Sequence, residues 1–187
     1  MNFVLAADIK TNNRDDVPGY GFQLKKRATA LTESWPALEE VSNNHLMLGH
    51  IMEWFYNGLG GIKQQPNSVA FKELLVSPAI VGDITHAKTS FFSPYGIIKS
   101  EWSLEGMNLS MHIEVPFNTR AIICFPTLNR NSITENGKPI DLQKDIQYIS
   151  VDNGKSLYRV GSGKYSFRLR MDVFNAKGEI IKAVETL

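Results

Sequence analysis

Glu33, Trp35 and His45 are the residues whose types and spacing best suit chemistry on a covalent bond. Glu33 lies in Ala30-Leu31-Thr32-Glu33-Ser34-Trp35. His45 follows Ser42-Asn43-Asn44 and opens an apolar run that continues to Tyr56. A carboxylate can move a proton while aromatic and polar side chains hold a ring, and hydrolysis of a glycosidic bond needs both. That reaction uses two carboxyl groups, and the stretch ahead of Glu33 is too short to carry a second one on its own scaffold. Taken alone, each residue also has a plainer reading. Most carboxylates are simply solvated, and a histidine at a helix start often only bonds to backbone.

These residues must be positioned by helices. The turn Pro18-Gly19-Tyr20-Gly21 precedes a short helix expected over Phe22–Leu31, and Pro36 ends any helix by residue 35. A second helix is expected from about Asn44 to Asn57. Met47, Ile51, Trp54 and Phe55 fall on one side of it, and Leu48, Met52, Tyr56 and Leu59 widen that face, so it should be largely buried. Gly58, Gly60 and Gly61 supply its stop. His50 and Glu53 share a face three residues apart. They lack the HExxH order and a third ligand, so a buried hydrogen-bonded pair is the better reading than a metal site.

After Gln64-Gln65-Pro66-Asn67 the chain turns to short β-type segments. Strands are expected at 71–76, 84–92, 96–104, 108–115, 119–125, 146–151, 155–160 and 163–173. Met111, Ile113 and Val115 alternate with His112 and Glu114, as in a strand with one wet face. Glu105-Gly106-Met107-Asn108 and Asp152-Asn153-Gly154 are hairpin turns. About eight strands at this spacing make an antiparallel sandwich. The organisation is α+β: a helical segment over 1–64, then an antiparallel β-sandwich over 65–187. Trp54 and Trp102 are expected in cores, leaving Trp35 as the plausible sugar platform. His86 and His112 carry no site signal. Gly161-Ser162-Gly163 lacks the strand-turn-helix context of a phosphate loop and reads as a turn.

Composition narrows the function classes. A formal net charge of +1 over 187 residues, with Lys25-Lys26-Arg27 the only local basic cluster, argues against a nucleic-acid partner. The sequence has no apolar run of eighteen residues to span a membrane. The start, Met1-Asn2-Phe3-Val4-Leu5-Ala6-Ala7-Asp8, has no basic region before its apolar patch. No secretion signal is expected in the sequence as given, which leaves a cytoplasmic location, or an exported one for a longer parent. Cys124, the single cysteine, sits in the apolar run Ala121–Phe125 and is expected to be a buried strand residue. Nothing calls for a cofactor or a metal.

Several motifs, taken in order, resemble a known family. Pro18-Gly19-Tyr20-Gly21, Ala28–Trp35, Asn44-His45 with Gly49, Glu53-Trp54-Phe55-Tyr56 and Gly58–Ile62 are similar to the C-terminal end of bacterial α-L-rhamnosidases of glycoside hydrolase family 78. The likeness continues through Ser93-Pro94-Tyr95-Gly96 with Trp102, Val115–Thr119 and Val160–Phe167, which resemble the β-sandwich closing those enzymes.

The resemblance implies an inverting hydrolase on an (α/α)6 barrel, with residues 1–64 the end of that barrel. One carboxylic acid protonates the leaving oxygen while a carboxylate activates water from the other face, the two lying roughly 6.5–9.5 Å apart. By motif position Glu33 matches the general base and His45 a histidine contacting rhamnose, with Trp35 beside them. The general acid lies upstream of anything present, so the isolated chain is expected to be inactive. The implied partner is a rhamnosylated glycoside or polysaccharide, and exposed barrel helices imply self-association. The competing class is a non-catalytic carbohydrate-binding or scaffold sandwich, which would have no use for Glu33 and His45.

Overall fold

A computed structural model describes residues 20–33, 42, 44–174 and 180–181. Two compact units divide the chain, one formed by residues 1–55 with 79–84 and the other by 56–78 with 85–187.

The first unit contains the helix Tyr20–Lys25, shorter than the Phe22–Leu31 expected from the pattern. Arg27 takes a left-handed φ of 61° and ends the helix, a conformation that a non-glycine residue adopts at some cost. A tight 3₁₀ turn over Leu46–His50 and one α-helical turn over Ile51–Trp54 follow. The next turn, Phe55–Leu59, is wound as a π-helix, so the single regular helix expected over 44–57 is three different windings. Nor is its apolar face largely buried: Leu46 and Met47 are each 78% exposed and Met52 is 52% exposed. A face that wide needs opposing helical surface, which the described residues of this unit do not supply. His50 and Glu53 do pair, at 2.8 Å, but both side chains are exposed, so the expected burial fails.

The second unit is a β-sandwich. One sheet is ordered β1 (Ile62–Gln64), β2 (Glu73–Val76), β6 (Arg120–Phe125), β10 (Lys155–Val160), β9 (Ile146–Asp152). The other is ordered β3 (His86–Ser93), β4 (Gly96–Glu105), β5 (Asn108–Val115), β11 (Gly163–Arg170), β7 (Thr134–Glu135), β8 (Lys138–Pro139). A separate pair, β12 (Val173–Phe174) with β13 (Ile180–Ile181), lies outside both sheets.

All the pairings are antiparallel except β2 with β6. Between those two strands the chain leaves to build β3, β4 and β5 in the opposite sheet. So long a crossover is what a parallel pair requires.

Alternation decides which side chains face inward. Leu74 and Val76, Ala121, Ile123 and Phe125, and Tyr158 and Val160 come from one sheet, and Ile98, Trp102, Met111, Ile113 and Phe167 from the other; each is buried. Phe125 meets Phe167 across the sandwich at a ring-centroid distance of 4.9 Å and Tyr158 within its own sheet at 5.7 Å. Trp102 is 2% exposed, as expected, and its Nε1–H donates to the Leu59 carbonyl at 2.9 Å. The Tyr158 hydroxyl is satisfied by Arg130 Nε and Asp141 Oδ1, both at 3.0 Å.

Turn chemistry closes the hairpins. Asn153 and Gly154 have φ of 46° and 74°, as do Asn136 and Gly137 at 47° and 78°, the pattern of a two-residue type I′ loop. At Gly61, φ is 72° and an added Cβ would lie 2.2 Å from the Pro78 nitrogen, so only glycine passes there.

Candidate functional site

Glu33 is placed by a small hydrogen-bonded frame. Gln23, on the helix Tyr20–Lys25, is 3% exposed, and its Oε1 accepts from the Thr32 N–H at 3.3 Å, which fixes the chain just before Glu33. Thr32 is itself 3% exposed. The segment then runs beside 42–45: the Glu33 N–H donates to the Ser42 carbonyl at 2.8 Å and the His45 N–H to the Leu31 carbonyl at 2.6 Å. These two backbone hydrogen bonds tie Leu31 and Glu33 to His45 and Ser42, so Glu33 and His45 belong to one local frame.

The Glu33 carboxylate stays exposed, with Oε2 accepting from the Ser42 N–H at 3.3 Å. The Ser42 hydroxyl in turn accepts from the Asn44 N–H at 3.3 Å, holding the turn that leads to His45. His45 is half-buried.

An ionised carboxylate oriented by a backbone amide, with its remaining lone pairs toward solvent, can bind a water molecule and take its proton. A neighbouring imidazole can donate to or accept from a hydroxyl-rich ligand. Trp35 and Asn43 lie outside the described residues. Gln23, Thr32 and Ser42 went unremarked in the sequence, although Ser before Asn-Asn signals a local side-chain to backbone turn. Among the described residues no group of three or more His, Cys, Asp or Glu side chains could hold a metal ion.

Residues 7–59 match the family model of the bacterial alpha-L-rhamnosidase 6 hairpin glycosidase domain. Residues 61–139 match that of the bacterial alpha-L-rhamnosidase C-terminal domain. The chain belongs to the bacterial α-L-rhamnosidases. Glu33 and His45 both fall within the first match, and the sandwich begins at Ile62, just after the changeover between the two.

Relatives of this rhamnosidase chain extend far beyond it. An alpha-L-rhamnosidase of Formosa agariphila is 36% identical over 134 residues, which is 70% of this chain and 14% of that protein. One from Alteromonas sp. (strain LOR) is 27% identical over 170 residues, 85% of this chain and 17% of its own length. The chain thus spans about a sixth or less of the curated relatives it matches. Among solved structures, the α-L-rhamnosidase from Dictyoglumus thermophilum superposes with a TM-score of 0.71 at 28% identity, over 84% of this chain and 18% of that one. The Streptomyces avermitilis enzyme complexed with L-rhamnose gives 0.70 at 21% identity, over 85% and 15%, a likeness of fold. Among the described residues no helix is long and apolar enough to cross a membrane.

Proposed function

We propose that this chain is the C-terminal portion of an inverting α-L-rhamnosidase that releases terminal α-L-rhamnose from glycosides or polysaccharides. Glu33 is its general base, and His45 and Trp35 are sugar-contacting residues. The observation that carries the reading is the Glu33 carboxylate, oriented by the Ser42 amide, in a segment that matches the glycosidase domain of the family.

The isolated chain is expected to lack turnover, because it spans only 14% of the Formosa relative. Leaving-group protonation alone contributes about 10²- to 10⁴-fold. Fusing the missing upstream part of that relative restores the second carboxylic acid and the rest of the sugar site. An aryl α-L-rhamnoside assay should read nothing from the chain alone and measurable release from the chimera. Proton NMR of the first-formed sugar from the chimera should show inverted anomeric configuration. Retention of configuration would reject the mechanism. Turnover by the unfused chain would reject the division of labour.

A further inference from the structure

In the helix Tyr20–Lys25 only Gln23 is buried, and both of its carbonyl oxygens are in use. The backbone carbonyl accepts from the Ala28 N–H at 3.0 Å, and the side-chain Oε1 accepts from the Thr32 N–H at 3.3 Å. One residue thus holds both ends of the return from the helix toward Glu33. Thr29 and Ala30, between those ends, are exposed. The left-handed Arg27 sends the chain back, and Gln23 fixes where it arrives.

Packing alone does not account for an amide at this position. Gln23 is 3% exposed, yet its Nε2 group is buried with no hydrogen-bond partner among the described residues. A buried donor left unpaired is worse than an apolar group of the same shape, because its hydration is lost and nothing replaces it. Methionine would fill the same space with no donor to bury. What methionine lacks is the acceptor for Thr32. The next residue after Thr32 is Glu33, whose N–H donates to the Ser42 carbonyl and whose Oε2 accepts from the Ser42 N–H. Its side chain is exposed, so its direction is set by the backbone that carries it and by Ser42 rather than by surrounding side chains.

We propose that Gln23 is a positioning residue for the hydrolysis, acting through the Thr32 backbone on the direction of the Glu33 carboxylate. The inference rests on the reading of Glu33 as the general base. Without the Oε1 acceptor the Thr32 N–H is freed, and residues 31–33 can shift against Ser42. A base moved on the ångström scale loses turnover, because proton transfer from water is demanding in geometry and is made only in the transition state. The buried, unpaired Nε2 is the cost of keeping an acceptor where an apolar side chain would pack as well.

Two measurements test this. In the full chain alone, amide hydrogen exchange followed by NMR should be at least about tenfold faster at Thr32 and Glu33 in Gln23→Met than in the parent. The unfolding midpoint should hardly move, since the donor freed at Thr32 and the donor removed at Nε2 offset each other. In the chimera, Gln23→Met should lower kcat about tenfold when Glu33 is present and by less than about twofold in the Glu33→Gln background, where there is no base left to misplace. A residue that only holds the fold would cost the same in both backgrounds. Equal losses, unchanged exchange at Thr32, or collapse of folding in Gln23→Met would overturn the proposal. Normal turnover by Glu33→Gln would reject the base and the proposal with it, a failure read in a variant that leaves Gln23 intact.

Discussion

Glu33→Gln in the reconstituted enzyme is expected to lower kcat by about 10³-fold, within the range for loss of general base catalysis, with little change in folding. The amide keeps the shape of the side chain and can still accept the Ser42 N–H through its carbonyl oxygen. What it cannot do is take a proton from water. His45→Ala should separate from it by raising KM more than it lowers kcat, because a sugar contact is made in both ground and transition states. Steady-state kinetics on an aryl α-L-rhamnoside, with circular dichroism to verify folding, distinguish the two. A Glu33→Gln enzyme that turns over normally would remove Glu33 from the chemistry.

The largest stability effect is expected at Phe125. Its side chain is fully buried, with Tyr158 at 5.7 Å and Phe167 at 4.9 Å, so truncation to alanine empties the space where the two sheets meet. A Phe→Ala change of this kind costs about 3–5 kcal/mol. That is a large share of the roughly 5–15 kcal/mol by which domains are stable. Phe92→Ala, at an exposed position, should fall within about 0.5 kcal/mol of the parent. Urea unfolding followed by tryptophan fluorescence compares them. Near-equal midpoints would mean that Phe125 is not at the centre of the core.

Strands were legible where alternation was clean. β5 and β10 begin and end where the pattern placed them, since Leu109, Met111, Ile113 and Val115 are buried and His112 is not. The β7–β8 hairpin was missed even though Asn136-Gly137 is a strong turn signal. Its strands are two residues each, and Thr134-Glu135 and Lys138-Pro139 offer no apolar alternation. β1 escaped because three residues show no period; it exists through pairing of Ile62 with Val76. The parallel β2–β6 pair is a property of topology, which periodicity does not encode.

The helical part was less legible. Nothing in Arg27-Ala28-Thr29-Ala30 announces a stop, and the helix ends because Arg27 turns left-handed and the chain folds back for Thr32 to reach Gln23. Glu33 and His45 drew attention as residue types, but the roles proposed for them rest on resemblance alone. Alternation made the outer face of the six-stranded sheet polar without saying which strands would be neighbours. That β11 lies beside β5 is a matter of strand order, which alternation does not encode.

The crossover between β2 and β6 also bears on how the chain survives its own folding. β6 lies between two partners distant in sequence, β2 before the crossover and β10 after the β7–β9 region, so its pairing waits on slow, long-range loop closure. In the meantime Ala121-Ile122-Ile123-Cys124-Phe125 is an uncharged, β-prone segment open to the same segment of another molecule. Arg120 and Pro126 bracket it and act as gatekeepers, one by repulsion and one by refusing a ladder hydrogen bond. Arg120→Ala is therefore expected to lower the yield of refolding increasingly as protein concentration rises, while the urea midpoint of the folded chain stays put. A refolding yield independent of concentration in both proteins would show that the bracket has no such role.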